Sequence, residues 1–277
     1  GVLITHGIGW PTPGFADRMI GLLATRLANL GADPADVAWK PAYWSDVVEY
    51  RQTELLRDLM REHDLDYVKL RKFVVSALGD AASYVQRLAK QDKDVYTRIH
   101  EKVYGYVQAL RQDLGGGRPL VVMAHSLGSL IMSNYIWDEQ SDEPDQGFGQ
   151  NAFERMETLC GVVTYGSNIP VFMMPHDPIA SFRFPPPDLA GHFPEGTPPD
   201  AMRAAAKWLN FYDQDDVLGY PLKPLSPSYG EAVSQDIEVN VGGLLSAWNP
   251  ASHSHYDTDR DFTRPVAELL AGLLALL

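Results

Sequence analysis

An apolar run at residues 120–124 leads through His125 and Ser126 directly into a helical pattern at residues 127–137. A strand without polar positions is typical of a sheet that is covered on both faces. Apolar strands separated by helical patterns recur along the chain, and strands are expected at residues 2–5, 37–43, 120–124, 159–165, 208–212 and 237–241. Strands that alternate with helices favour right-handed crossovers and parallel pairing. We therefore predict an α/β fold, with a mainly parallel sheet and helices on both of its faces.

The length of 277 residues suits one large α/β domain, and we predict a single domain over residues 1–277. Two segments are longer than a crossover needs: residues 45–93, with helical periodicity, and residues 169–199, which hold nine prolines. Long segments of this kind commonly form lids or binding loops, so both are candidates for a cap or lid. The aromatic side chains of the second segment either form an acyl-binding lid or fix a long loop to the sheet; they are Phe172, Phe182, Phe184 and Phe193.

The net charge excludes one class of partner. Lys and Arg number 23 against 36 Asp and Glu, which gives −13 at neutral pH. A field of this sign repels phosphate backbones and anionic headgroups, so we expect no nucleic-acid partner, although apolar lipid substrates remain compatible. The final apolar stretch, residues 266–277, falls short of the roughly 18 residues that a membrane span requires, so we expect no transmembrane segment. It predicts a terminal core helix with Pro265 in its first turn.

The only cysteine, Cys160, excludes an internal disulfide and a cysteine-rich metal site. Its apolar neighbours predict a buried structural thiol. No signal peptide is recognisable, but the chain starts at Gly1 rather than at Met and enters a strand at once, which points to a chain that begins further upstream. We expect a cytoplasmic location, and no feature of the sequence indicates an oligomeric state.

The residues around Ser126 carry the strongest chemical signal. An apolar strand, a turn at Ser126 and a helix follow one another directly, with the small residues Ala124 and Gly128 two positions to either side. This is the pattern of a nucleophile elbow, where a strained turn raises the serine hydroxyl above the sheet edge and larger neighbours would collide. The helix N-terminus favours developing negative charge. Ser126 is therefore predicted to be a nucleophile.

A glycine-rich turn, His-Gly-Ile-Gly at residues 6–9, follows the first strand. A tetrahedral intermediate of acyl transfer needs two hydrogen-bond donors aimed at its oxyanion. One donor would be the N–H of Leu127, directly after the nucleophile, and the other the N–H of Ile8, where glycines let the backbone approach closely. Such a turn is weak evidence by itself and gains weight beside Ser126.

These two segments together, Val-Leu-Ile-Thr-His-Gly-Ile-Gly at residues 2–9 and Ala-His-Ser-Leu-Gly at residues 124–128, resemble the α/β-hydrolases, and among them small bacterial lipases and esterases. Thr-Tyr-Gly-Ser at residues 164–167 is similar to the strand end that follows the elbow helix in many of them. The resemblance implies a serine hydrolase that cleaves carboxylic esters of small molecules or lipids through an acyl-enzyme, without a cofactor. The chain departs from the family in its two long insertions and in having Ala124 in place of the first glycine.

The family's chain order places an acid after the serine and a histidine after the acid. Three aspartates follow the predicted strand at residues 208–212. Asp216 fits best, because Asp-Val followed shortly by Pro-Leu resembles the acid loop of the family. Asp213 is the alternative, and Asp215 is expected to face water.

Two histidines follow the last predicted strand. His253 stands three residues before Tyr256, which resembles a His-x-x-Tyr pattern of related esterases, and His255 is the alternative. A metal site is a different interpretation, since His253, His255 and Asp257 alternate as strand ligands do, with His176 as a further candidate. That interpretation lacks an obvious complete ligand set, so we expect no metal.

Two other histidines are expected to support the site without exchanging protons with substrate. His125 should pack beside the elbow, and His6, with Gly7, should brace the oxyanion turn. The same catalytic residues would also serve a thioesterase, amidase or acyltransferase, and the fold does not separate these activities. A binding protein that keeps the fold without turnover is a further alternative.

Overall fold

The computed structural model describes residues 1–7, 11–48, 95–141, 147–193, 197–241, 253 and 256–277. Within these residues the strands form one six-stranded sheet of order β2-β1-β3-β4-β5-β6, and every neighbouring pair is parallel. The strands are β1 (Val2–Thr5), β2 (Trp39–Ala42), β3 (Leu120–His125), β4 (Leu159–Tyr165), β5 (Lys207–Tyr212) and β6 (Gln235–Glu238). The predicted α/β architecture with a mainly parallel sheet is confirmed.

Helices flank this sheet. The described helices are α1 (Asp17–Asn29), α2 (Val95–Leu114), α3 (Leu127–Glu139), α4 (Ile169–Met173), α5 (Pro199–Ala205), α6 (Pro227–Ala232) and α7 (Arg260–Leu274). Short 3₁₀ turns lie at Pro34–Asp36, Leu189–His192, Lys223–Leu225 and Tyr256–Thr258. The first helix packs against the last one, α2 contacts β1 and β2, and α3 contacts β3.

The central strands β1, β3 and β4 are buried along almost their whole length, as their apolar sequences predict. All residues of β1 and β4 are buried, and in β3 only the last residue, His125, is partly exposed. Because the strands are parallel, their carboxyl ends lie at one edge of the sheet. The loops that leave this edge after β1, β3, β4 and β5 therefore come together, as in other open α/β sheets, where ligands bind at this edge.

Most element boundaries shift by one or two residues from the prediction, and two differ by more. The last helix begins at Arg260, so Pro265 lies inside it and not in its first turn. The reason is a cap: the Asp259 side chain accepts the Asp261 N–H at 2.6 Å and starts the helix before the apolar run. The last strand covers Gln235–Glu238 instead of residues 237–241, because its half-exposed edge position makes the apolar pattern a poor guide.

The proline-rich segment begins with α4, ends where α5 begins, and packs partly on the sheet. Phe182 stacks on Trp208 of β5 with ring centroids 4.6 Å apart, and Phe184 meets the same ring edge-on at 6.3 Å. These two side chains fix the loop to the sheet, so an acyl-binding lid would have to use other parts of the segment. Residues 49–94 lie outside the described part and include nearly all of the predicted cap at 45–93, so the cap and the single-domain prediction stay predictions.

Cys160 is buried in β4, and burial raises the pKa of its thiol to about 12. It is therefore a neutral thiol at physiological pH, consistent with a packing role. Among the helices described above, none combines the length and the apolar character that crossing a bilayer requires.

Candidate active site

Ser126 stands in a strained turn between β3 and α3. Its backbone has φ 51° and ψ −125°, a combination that residues with a side chain rarely adopt. The turn is held because the Ser126 N–H donates to the Tyr165 carbonyl at 3.0 Å and the Ser126 carbonyl accepts from the Ser129 N–H at 2.9 Å. Strain of this kind persists only where surrounding contacts determine it, and it is common at functional sites. The structure thus has a strand, a strained turn at Ser126 and a helix in direct succession.

Two glycines let the end of β1 lie directly against this turn. A Cβ on Gly128 would lie 2.5 Å from the carbonyl oxygen of His6, and a Cβ on Gly7 would lie 2.6 Å from Cβ of Ser126. No side chain fits at either distance, so both positions require glycine. The residues that lead to Ile8 are thus packed against the serine, as an oxyanion turn requires. Ile8 itself lies outside the described residues.

The close approach of Gly128 to His6 leads to a prediction. Replacing Gly128 by alanine is expected to lower the free energy of unfolding by about 1–3 kcal/mol, because the added methyl group must displace backbone rather than a flexible side chain. Chemical denaturation would measure the loss. Gly21→Ala is the matched control: Gly21 lies mid-helix in α1, exposed and with open space around its Cβ position in the described structure, and alanine there should be neutral or mildly stabilising. Equal stability of the two variants would contradict the packing argument.

Ser126, His253 and Asp216 form a continuous chain of hydrogen bonds. His253 Nε2 lies 2.7 Å from Ser126 Oγ, and His253 Nδ1 lies 2.8 Å from Asp216 Oδ2. All three residues are buried. With Nδ1 donating to the carboxylate, Nε2 is left free to accept the serine proton. The geometry therefore joins a hydroxyl, a base and an anion in that order.

The structure separates the roles of the three aspartates. Asp213, at the end of β5, accepts the Val241 N–H at 2.5 Å and the Asp215 N–H at 2.8 Å, so its carboxylate organises backbone. Asp215 is exposed, as expected. Asp216 is the aspartate that contacts the imidazole. His255, the alternative histidine, lies outside the described residues.

Two further glycines, whose roles the sequence did not reveal, make room for Asp216 and His253. Gly166 has φ +54°, and a Cβ there would lie 3.0–3.1 Å from the His253 ring and 3.2 Å from Asp216 Oδ2. A Cβ on Gly219 would lie 2.6 Å from the same carboxylate oxygen. Both residues belong to motifs singled out from the sequence, but which side chains they would approach depends on the tertiary fold.

A polar pair, the buried Asn210 and the half-buried Asp236, anchors the far end of the loop that carries Asp216. Asn210 of β5 donates to Asp236 Oδ1 of β6 at 2.7 Å and to the Tyr220 carbonyl at 3.0 Å. Asp236 in turn accepts the N–H groups of Leu222 at 2.9 Å and Lys223 at 3.0 Å. The loop that carries the acid is thus fixed at both ends. The available signal was a polar residue in an otherwise apolar strand, which usually marks a satisfied buried network.

His6 braces the turn after β1. Its Nδ1 donates to the Gly7 carbonyl at 2.8 Å, and its Nε2 accepts the Trp44 N–H at 3.1 Å. The Trp44 indole donates to the His6 carbonyl at 3.0 Å, and the two rings stack with centroids 4.7 Å apart. Burial lowers the pKa of His6 to about 4, so the ring is neutral at physiological pH. These contacts link the turn after β1 to the segment that carries Trp44.

The His125 side chain connects the turn at Ser126 to the segment that carries His253. Its Nε2 donates to the backbone carbonyl of His253 at 2.7 Å, and its ring stacks on Tyr165 with centroids 4.9 Å apart. Burial lowers the pKa of His125 to about 3, so this ring is neutral as well. The residue before the serine therefore helps to hold the segment that carries His253.

The metal interpretation finds no support in the described part of the chain, where no three His, Cys, Asp or Glu side chains are close enough to share an ion. Both ring nitrogens of His253 are engaged, one by Ser126 and one by Asp216. The Nε2 lone pair, which a metal ion would need, is directed at the Ser126 hydroxyl, and His255 lies outside the described residues.

The arrangement as a whole is suited to nucleophilic catalysis. A hydroxyl on a strained turn contacts a base, the base is oriented by a buried anion, and the hydroxyl stands at the N-terminus of the helix that begins with Leu127. Comparison of the chain with protein-family models, with curated proteins and with solved structures finds no match in any of the three.

Proposed function

We propose that this protein is an α/β-hydrolase that cleaves carboxylic esters with Ser126 as its nucleophile. The observation that carries the proposal is the chain of hydrogen bonds from Ser126 Oγ to His253 Nε2 at 2.7 Å and from His253 Nδ1 to Asp216 Oδ2 at 2.8 Å. A serine, a histidine and an aspartate in this order convert a weak hydroxyl nucleophile into an effective one.

The reaction would proceed in two halves. Ser126 Oγ attacks the ester carbonyl carbon while His253 Nε2 takes its proton, and Asp216 stabilises the imidazolium that forms. The oxyanion accepts one hydrogen bond from the N–H of Leu127, at the start of α3. In this proposal it accepts a second one from the N–H of Ile8. His253 then protonates the departing alcohol, which leaves an acyl-enzyme. Water, activated by the same histidine, releases the acid and restores Ser126.

Apolar side chains near the carboxyl edge of the sheet favour an ester with an apolar acyl group. Val171 is 38% exposed and Met174 71% exposed, on and just after the helix α4 that follows Gly166. Val217 of the acid loop is 77% exposed. The two segments are joined by a hydrogen bond from the Tyr220 N–H to the Ser167 carbonyl at 3.0 Å. The net charge of −13 disfavours anionic substrates and leaves neutral acyl esters as the best candidates.

Active-site labelling tests this proposal directly. A fluorophosphonate probe is expected to label Ser126, as read by peptide mass spectrometry, because only an activated serine attacks such a probe efficiently. A series of p-nitrophenyl esters from acetate to palmitate would then define the acyl length that the site prefers. Ser129→Ala is the matched control, since Ser129 lies one turn further along α3 and its hydroxyl only donates to the Ala124 carbonyl. If Ser126 stays unlabelled and no ester is cleaved, ester hydrolysis is ruled out.

A further inference from the structure

We propose that Tyr256 is a positioning residue that orients the Asp216 carboxylate toward His253, so that four side chains, not three, act together; this inference rests on the function proposed above. Tyr256 lies three residues after His253, where the chain approaches α7. Its hydroxyl donates to Asp216 Oδ2 at 2.8 Å, and the same oxygen accepts from His253 Nδ1 at 2.8 Å. One segment of chain thus supplies both donors to one carboxylate oxygen.

The direction of the Tyr256 hydroxyl is fixed by a second hydrogen bond. The backbone N–H of Asp213 donates to the phenol oxygen at 3.0 Å, so the hydroxyl proton is directed away from that N–H and onto Asp216. The Tyr256 side chain is almost completely buried. A hydroxyl that accepts on one side and donates on the other, without access to solvent, has one stable orientation. Tyr256 therefore holds the acid at a fixed distance from the end of β5.

The carboxylate has donors on both of its oxygens. Asp216 Oδ1 accepts the Leu218 N–H at 3.0 Å, and Oδ2 accepts from His253 and Tyr256. Burial raises the pKa of Asp216, but the hydrogen bonds from His253, from the Leu218 N–H and from Tyr256 outweigh it and hold this pKa below its ordinary value of 3.8. Three donors leave the carboxylate no freedom to rotate away from the imidazole.

Other titratable groups near the Asp216 carboxylate do not donate hydrogen bonds to it in the described structure. Of the described residues, Asp213 from the end of β5 and His125 from the end of β3 also face the Asp216–Tyr256 pair. His125 is neutral, because burial lowers its pKa to about 3, and the Asp213 carboxylate is turned toward the Val241 N–H. The Tyr256 hydroxyl is thus the one side-chain donor to Asp216, apart from His253, in the described structure.

The acid loop is built closely around this hydroxyl. A Cβ on Gly219 would lie 2.6 Å from Asp216 Oδ2 and 3.0 Å from the Tyr256 hydroxyl oxygen, so glycine at this position lets the loop close over the contact. Tyr256 is also tied to the last helix, since its carbonyl accepts the N–H of Asp259, the α7 cap, at 3.0 Å. The hydroxyl is therefore held by the same framework that holds the base.

Removal of the hydroxyl tests the proposal. Tyr256→Phe is expected to lower kcat for ester hydrolysis about tenfold and to leave KM nearly unchanged, because orientation of the base matters in the transition state and not in substrate binding. The pKa of Asp216 should rise in this variant. NMR would follow the titration of Asp216 through its ¹³Cγ signal, which is assigned because the spectrum of Asp216→Asn lacks it. Tyr229→Phe is the control: Tyr229 is as buried as Tyr256, but it lies in α6 and packs on Trp208, so its replacement leaves both donors on Oδ2 in place. It should keep the wild-type kcat and Asp216 titration.

A second variant keeps the test informative if Tyr256→Phe does not fold. Incorporation of 2,3-difluorotyrosine at position 256 makes the phenol a stronger donor without changing its shape, so the pKa of Asp216 should fall instead of rise. An Asp216 titration that is the same in wild type and in the Tyr256 variants overturns the proposal, even if kcat declines, since the hydroxyl would then act on folding alone. The titration needs no turnover, so opposite shifts without ester cleavage in any variant would support the contact and reject the hydrolase function.

Discussion

Replacing Ser126 by alanine is expected to lower kcat for ester hydrolysis by about 10⁶-fold, with little change in KM. In the proposed mechanism His253 activates the Ser126 hydroxyl across 2.7 Å, so removal of either side chain removes the same step. His253→Ala should therefore cost about as much as Ser126→Ala, and the double variant should cost no more than either single change. Steady-state kinetics on the preferred p-nitrophenyl ester would measure all three.

The double variant tests whether Ser126 and His253 act as one catalytic unit. Independent contributions would multiply and make the double variant far slower than either single one, whereas a single catalytic unit can be lost only once. Ser129→Ala is again the control, and unfolding curves would show that each variant is folded. Losses that multiply would show that Ser126 and His253 do not act as one unit.

The elbow could be predicted from the sequence because its determinants are local. Strand, turn and helix follow one another within residues 120–139. The spacing of two positions between Ser126 and Gly128 does not depend on the tertiary fold. The parallel sheet could be predicted for a similar reason, since apolar strands alternate with helices along the chain. This local pattern does not reveal which groups from distant segments of the chain approach Ser126.

The two aspartates after β5 illustrate this limit. Asp213 and Asp216 lie three residues apart in one loop, and sequence alone does not fix which of them turns toward the histidine. The choice depends on contacts between segments: Asp213 is engaged by the N–H of Val241, and the turn after Asp216 closes because Gly219 fits against the carboxylate. The tether from Asn210 to Asp236 is equally nonlocal, because it depends on the pairing of β5 with β6.

The choice between the two aspartates makes a second strong prediction. Asp216→Asn is expected to lower kcat by about 10⁴-fold and to leave KM nearly unchanged. An amide NH₂ placed opposite His253 Nδ1 makes that nitrogen an acceptor and moves the ring proton to Nε2, which can then no longer take the proton of Ser126. The side chain keeps its size, so the loss would reflect the tautomer and the missing negative charge.

Asp213→Asn is the matched comparison, because it makes the same chemical change three residues away in the same loop. Its carboxylate accepts two backbone N–H groups and does not contact the imidazole, so the amide oxygen can replace one acceptor at a cost of about 1–3 kcal/mol in stability. Its kcat should stay within about tenfold of the wild type, since the tautomer of His253 does not depend on it. If Asp213→Asn proved the slower of the two while still folded, the acid would be Asp213, and the 2.8 Å contact between Asp216 and His253 would have no part in catalysis.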